Sequence, residues 1–295
     1  MVIALLATIP AYLYANPEEL AYFQRLSTTV LLITLLCQFL SQLVWNGAML
    51  LPLQTYMKLG YWELFMVRSG GFFVGYVVPV AGSIAVRMAY LRRRGLTYTN
   101  FTWATIVSNV LALFAAAALA VLAVGILWRI TGILSAPVAG LTVAVLAIGV
   151  TGLTALRVLP RLAGHPRFRR WGWLSGMSSH EASRRTMISI LALSFARHVF
   201  NFLSFGLLYQ SLAPAPSGFL TGGLVYAITS PIRMVTITPG NLGVNEWVVA
   251  VVGKLLSFDL TTGLMVALVF RGMSVAAQVL GVLLAAAWVP LRGEP

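Results

Sequence analysis

The chain of 295 residues is 59% hydrophobic and only 9% charged, with a mean hydropathy of +0.89, which excludes an ordinary soluble domain. Its 20 Lys and Arg against 7 Asp and Glu give a formal net charge of +13. The basic residues cluster in particular loops, so orientation in a membrane explains them better than nucleic-acid binding. At about 20 residues per span, we expect six to eight membrane segments in a single integral membrane domain, residues 1–295.

Uninterrupted apolar stretches predict most of these segments. Met1 to Tyr14 lacks the basic flank and the small-residue cleavage site of a signal peptide, so it predicts a membrane helix. Phe101 to Trp128 and Ile133 to Leu156 predict a helical hairpin. Further spans are predicted at Met187 to Leu212 and at Thr261 to Trp288. The fold class that follows is an all-α, polytopic membrane helix bundle.

The span predicted from Ser27 to Pro52 has a polar face. Gln38, Gln42 and Asn46 recur every four residues, which places their amides on one side of a helix. Amides in hydrocarbon need hydrogen-bond partners, so this face is predicted to look into the bundle, with bonding between helices favoured over ligand contact. The single cysteine, Cys37, excludes a disulfide within one chain and is interpreted as a packing residue.

Two apolar stretches are interrupted by glycine and proline. Tyr61 to Arg87 is interrupted at Gly70, Gly71, Gly75, Pro79 and Gly82. Phe219 to Ser257 is interrupted at TITPGNLGVNE, residues 236–246. Such sequence cannot stay regular helix, and non-helical backbone at membrane depth is tolerated only inside protein or beside a wet cavity. Paired interruptions predict two inverted repeats with broken or re-entrant helices, the first about 27–128 and the second about 187–290.

The basic clusters predict orientation. Arg92, Arg93 and Arg94 form the first cluster, and a larger one lies in a loop of about 157–185, where Trp171 and Trp173 make it amphipathic. Placing both clusters on the cytoplasmic side satisfies the positive-inside rule for every predicted span. We therefore expect a protein integral to the cytoplasmic (inner) membrane, with its basic loops cytoplasmic.

Cations outnumber anions among the residues predicted to lie deep. Arg197, Arg233 and Arg271 stand against one carboxylate, Glu246, whose expected partners are Arg233 and Arg271. The carboxylate has two roles open to it, neutralising an arginine to hold the broken helix or taking part in function. Arg68 and Arg87 lie by the other interruption, with snorkelling to the headgroup layer as their alternative role. An uncompensated guanidinium at low dielectric is costly, so an external anion is the predicted missing partner, and a lipid phosphate fits.

Signs of an enzyme are sparse. His165, His180 and His198 are scattered, and the sequence has no HExxH, no GxSxG and no phosphate-binding glycine loop before a lysine. His198 beside Arg197 is interpreted as a packed polar residue. With 7 acidic residues, a metal site is not expected, and no catalytic residue or cofactor is predicted.

The chain resembles the lysylphosphatidylglycerol synthase transmembrane family, also called flippase-like, the type of membrane domain found in the bacterial multiple peptide resistance factor. Thr238 to Glu246, followed by Arg271, is similar to the family's PGGLGxxE segment and the arginine in its next helix. Pro79, Gly82 and Arg87 are similar to its proline-glycine-arginine pattern in the first half. Gly82 with Ser83, and Asn241, depart from the family's glycine pairs or acidic residue.

The resemblance implies a lipid translocase or lipid-binding protein acting on an anionic or aminoacylated phospholipid or a polyprenyl-phosphate lipid. The family's best-known members carry an aminoacyl transferase domain that this chain lacks, so lysyl transfer is not expected. The alternatives are a membrane-bound transferase for a lipid-linked substrate and a scaffold for a separately encoded transferase. The candidate substrate-binding residues are Arg197, Arg233, Pro239, Gly240, Asn241, Gly243, Asn245, Glu246 and Arg271, with Pro79, Gly82 and Arg87 in the first half.

Overall fold

The structure is a computed structural model that describes residues 14–15, 17, 24–75, 78, 81–131, 136–163, 183–214, 217–234 and 241–288. Within these ranges the chain forms helices and no strand, so the predicted all-α membrane bundle is confirmed. The nine helices of the described part are α1 (Thr28–Leu53), α2 (Tyr61–Gly75), α3 (Ala81–Arg93), α4 (Tyr98–Thr131), α5 (Ala136–Ala163), α6 (Arg184–Leu212), α7 (Gly218–Arg233), α8 (Val244–Leu255) and α9 (Leu260–Trp288).

Four of these helices, α1, α4, α6 and α9, are long and apolar enough to cross a membrane. Two of them begin with a serine N-cap, which satisfies a backbone N–H that the helix itself leaves unpaired. Ser27 Oγ accepts from the Val30 N–H at 3.2 Å, and Ser183 Oγ accepts from the Thr186 N–H at 3.1 Å. The four apolar helices make the chain an integral membrane protein. The serine caps define where two of these helices start.

The predicted hairpin of two apolar helices is confirmed as α4 and α5, which pack along each other. Both helices run further than predicted: α4 continues to Thr131 and α5 to Ala163. Residues 157–163, assigned from the sequence to the basic loop, thus belong to the end of α5. The remainder of that loop up to residue 182 lies outside the described residues, as does nearly all of the first predicted span.

Both predicted interruptions are present. One separates α2, which ends at Gly75, from α3, which begins at Ala81, and the other separates α7, which ends at Arg233, from α8, which begins at Val244. α9 packs against α2 and α8, one helix from each broken pair, and also against α1 and α6. It therefore joins the two interrupted regions. The inverted relation between the two halves stays a prediction.

Glycines allow α2 to pack closely on α3, and α9 to pack closely on α8. A Cβ on Gly71 of α2 would lie 2.8 Å from the Ser83 carbonyl oxygen of α3. A Cβ on Gly263 of α9 would lie 2.5 Å from the Ala250 Cα of α8. Since both neighbours are backbone atoms, they cannot move aside as the end of a flexible side chain can. These two contacts set the separation of α2 from α3 and of α8 from α9.

We predict that Gly263→Ala destabilises the protein because the added methyl forces α8 and α9 apart. Overpacking of this kind costs about 1–3 kcal/mol. Gly272→Ala is the matched control on the same helix, because a Cβ at Gly272 meets nothing within 4 Å and alanine favours helix. Thermal unfolding of the two purified variants in detergent is the measurement. Equal unfolding temperatures for both variants would contradict the close packing of α8 on α9.

Candidate functional site

A cavity of about 320 Å³ lies among α1, α2, α3, α4, α6, α7, α8 and α9. Each of four helices contributes one arginine to its wall: Arg68 from α2, Arg87 from α3, Arg197 from α6 and Arg233 from α7. No Asp or Glu of the described residues lines this cavity. The predicted excess of buried cations is therefore present in one place, and the cavity is electropositive.

Arg68 and Arg87 are buried, which makes the alternative of snorkelling to the headgroup layer wrong for both. Their exposed fractions are 7% and 9%. Arg68 Nη2 donates to Gln42 Oε1 at 2.8 Å, whereas its Nη1 is buried without a hydrogen-bond partner. Arg87 Nε donates to the Ser83 carbonyl oxygen at 3.1 Å. Arg68 was not among the binding residues expected from the sequence, although its place in an apolar run beside a glycine pair was the available signal.

Aromatic rings support Arg197 and Arg233. The guanidinium carbon of Arg197 lies 4.5 Å from the ring centre of Trp45, and that of Arg233 lies 4.6 Å from Phe270. Arg233 also faces Phe205, at 5.1 Å. A ring attracts the face of a guanidinium and leaves its N–H groups, which point outward in the plane, for other partners. Arg233 Nη1 is buried and has no hydrogen-bond partner.

The polar face of α1 bonds to neighbouring helices, as predicted. Gln38 Nε2 donates to Asn201 Oδ1 of α6 at 3.0 Å, and Asn46 Nδ2 donates to the Tyr61 carbonyl oxygen at 2.9 Å. Asn201 in turn donates to the Tyr226 hydroxyl at 3.1 Å. These bonds tie α1, α6 and α7 together beside the cavity. Cys37 is buried in the same helix, which agrees with its predicted packing role.

His198 is held within this polar network. Its Nδ1 lies 2.8 Å from the Tyr226 hydroxyl, and its side chain is only 3% exposed. The interpretation of His198 as a packed polar residue agrees with that contact. Its Nε2 is buried without a hydrogen-bond partner, and the residue also lines the cavity.

Glu246 fixes the start of α8. One carboxylate oxygen accepts from Arg271 Nε at 2.5 Å, and the other accepts from the Gly243 N–H at 2.8 Å. Arg271 Nη2 also donates to the Asn241 carbonyl oxygen at 3.1 Å. Gly243 has a φ of 81°, a left-handed conformation that glycine adopts without steric cost. Arg271 thus holds both the carboxylate and the interrupted backbone.

The expected pairing of Glu246 is confirmed for Arg271 and wrong for Arg233. Within the described residues, Arg233 forms no ion pair with the carboxylate. Instead, its side chain stacks on aromatic rings, and its carbonyl oxygen accepts from Asn241 Nδ2 at 3.3 Å. The guanidinium of Arg233 therefore lines the cavity without a direct ion pair to Glu246.

A second, smaller cavity of about 150 Å³ lies beside the first, and Arg233, Asn245 and Phe270 line both. Glu246 and Arg271 line only the smaller one. The sequence candidates therefore come together around two adjoining spaces. The exceptions are Gly82, which packs on Val74 and Val78, and Asn241 and Gly243, which shape the backbone. Pro79, Pro239 and Gly240 lie outside the described residues.

No group of three or more His, Cys, Asp or Glu that could hold a metal ion occurs in the described part of the chain. The chemistry that these residues offer is instead that of an anion site. Guanidinium groups from four helices line the space, and Arg68 and Arg233 each have a buried Nη1 without a hydrogen-bond partner. Arginine binds phosphate and carboxylate oxygens with paired N–H groups, so the arrangement can hold either.

The model of the family described as lysylphosphatidylglycerol synthase TM region matches residues 1–281. The chain belongs to this family. The resemblance inferred from the segment around Glu246 and from Arg271 is thereby confirmed, and the match extends over nearly the whole chain. No curated protein and no solved structure matches the chain.

We predict that Glu246→Gln destabilises the protein by about 3 kcal/mol, because it removes the carboxylate from an ion pair with Arg271, whose side chain is only 17% exposed. The double variant Glu246→Gln with Arg271→Leu removes both charges and is expected to recover part of that loss. Thermal unfolding of the single and double variants is the measurement. A double variant whose loss equals the sum of the two single losses would show that the pair does not act as a unit.

Proposed function

We propose that this family member is a lipid translocase, or a lipid-binding protein, that holds a phosphate-bearing lipid headgroup in the cavity of four arginines. The observation that carries the proposal is the cluster of Arg68, Arg87, Arg197 and Arg233 in a wall to which no carboxylate of the described residues contributes. The family's name, which refers to a lipid synthase, supports a function connected with membrane lipids. We place the protein in the cytoplasmic membrane with its basic loops on the cytoplasmic side.

Electrostatics favours an anionic ligand. Arginine stays protonated in proteins, and a charge removed from water must be compensated by a partner. Glu246 compensates Arg271, but the described residues offer no carboxylate to the four cavity arginines. A headgroup phosphate supplies the missing charge and accepts hydrogen bonds from the free N–H groups. Acyl chains attached to it would remain among the apolar helix surfaces.

Movement of the lipid is proposed from the two broken helices. The α2 to α3 pair contributes Arg68 and Arg87 to the cavity, and α7 contributes Arg233 at its end, beside the break before α8. Two interrupted helical segments beside one binding site are typical of transporters in which the two halves alternate as gates. We propose the same arrangement here, with α9 as the element against which both halves pack.

A membrane-bound transferase is less well supported. It would need a general base at the cavity, and the residues available for that role are Glu246 and His198. Both oxygens of Glu246 are occupied by Arg271 and Gly243. His198 is engaged at Nδ1 by the Tyr226 hydroxyl. We therefore propose that the chain is not itself an enzyme.

We predict that Arg197→Gln and Arg233→Gln each lower the amount of co-purifying phosphate-bearing lipid at least tenfold. Each variant removes one cavity charge, and each side chain is held by ring stacking in place of an ion pair, so the fold should survive. Native mass spectrometry with lipid extraction is the measurement. Arg185→Gln is the matched control, because it removes a charge from an exposed residue at the start of α6.

The same variants test movement. Vesicles containing the protein and an acyl-labelled fluorescent phospholipid report exchange between leaflets when a membrane-impermeant reductant quenches the outer label. We expect exchange with the native chain and with Arg185→Gln, and a loss of at least tenfold with Arg197→Gln. If the bound lipid and the exchange rate are equal in all variants, the proposal is wrong and the arginines have a structural role.

A further inference from the structure

We infer that the lipid held here ends in a phosphate with two negative charges, a phosphomonoester or diphosphate, and has no cationic group. This inference rests on the proposed function and names its substrate class. It separates three kinds of lipid: those with a terminal phosphate, those with a phosphodiester of a single charge, and those whose headgroup also bears an amine. The observations behind it are the charge of the cavity wall, the positions of its unpartnered donors and the engagement of Glu246.

The charge of the wall favours more than one negative charge. Four guanidinium groups line the cavity, and no Asp or Glu of the described residues lines it with them. A phosphodiester brings a single negative charge and would leave three of the four cations uncompensated. A terminal phosphate brings about −1.5 to −2 at pH 7, and a diphosphate brings more. Each added negative charge removes part of the cost of burying the arginines.

The unpartnered donors favour a terminal phosphate for a geometric reason. The cavity arginines belong to four different helices, and Arg68 of α2 and Arg233 of α7 each have a buried Nη1 without a hydrogen-bond partner. The Arg68 side chain is 7% exposed. A terminal phosphate has three strong acceptor oxygens and can accept from several directions at once. A phosphodiester has two such oxygens, because a second ester bond takes the place of the third.

The engagement of Glu246 argues against an amine in the headgroup. An ammonium group in the site would need an acidic partner, but Glu246 accepts from Arg271 and from the Gly243 N–H and lines only the smaller cavity. An amine in the larger cavity would instead meet four guanidinium groups. The site should therefore reject lipids with lysyl or other amino groups, even though the family description names a lysylated lipid.

Lipids that share the same acyl chains provide the test. The purified full chain in detergent is titrated with phosphatidic acid, phosphatidylglycerol and lysylphosphatidylglycerol, and native mass spectrometry reports the bound fraction of each. We expect phosphatidic acid to bind at least tenfold more tightly than phosphatidylglycerol, with the lysylated lipid weakest. Arg197→Gln should reduce the preference for phosphatidic acid, and Arg185→Gln should leave it unchanged. Inorganic phosphate is the competitor that distinguishes a lipid from a free anion.

Each other outcome has a defined meaning. Equal binding of phosphatidic acid and phosphatidylglycerol, both lost in Arg197→Gln, would overturn this inference and leave the proposed function standing. Preference for the lysylated lipid would overturn it as well. If inorganic phosphate at the same concentration displaces phosphatidic acid, the site binds a soluble anion in place of a lipid, and this inference is overturned. Binding of all three lipids that is unchanged by Arg197→Gln would overturn both this inference and the proposed function.

Discussion

The ion pair of Glu246 with Arg271 is the interaction on which the second interrupted region depends. Proline and glycine stop the chain from continuing as helix between α7 and α8, so backbone groups there need partners from elsewhere. One carboxylate supplies an acceptor to the Gly243 N–H, and one guanidinium supplies a donor to the Asn241 carbonyl oxygen. Because the pair neutralises itself, it holds the break in place without adding charge to the neighbouring cavity.

The cavity arginines are supported by groups that carry no formal charge. Trp45 and Phe270 stack on Arg197 and Arg233, and the Gln42 amide accepts from Arg68. Such partners fix the orientation of a guanidinium while leaving its charge uncompensated. An acidic partner would hold the arginine more tightly but would cancel the field that attracts an anion. Among the described residues, one arginine is neutralised by Glu246 and the four cavity arginines have no carboxylate partner, which is the arrangement that the proposed anion site requires.

The sequence predicts the helical class, the two interruptions and an arginine partner for Glu246 because each has a local signal: long apolar runs, clustered glycine and proline, and one deep carboxylate. It does not predict which arginine the carboxylate would choose, since that depends on the approach of α9 to α8 at Gly263. Burial of Arg68 depends on the packing of α2 against Gln42 of α1, a contact across 26 positions. The apolar residues around Arg68 in the sequence do not reveal this contact, and they favour snorkelling instead.

The two interrupted regions differ in where a carboxylate holds them. The α7 to α8 break is fixed by hydrogen bonds to charged groups, which are roughly twice as strong as neutral ones. On the α2 to α3 side, Arg68 and Arg87 bond to an amide and to a backbone carbonyl, and neither has a carboxylate partner in the described residues. At the far end of the same pair, Glu63 of α2 accepts from the Tyr90 hydroxyl of α3 at 2.6 Å and pairs with Arg94 at 2.6 Å. A bound phosphate would supply an acceptor to the cavity end, where Arg68 and Arg87 lie. The ligand would then complete the first half of the site much as Glu246 completes the second, which ties binding of the anion to the position of α2 and α3.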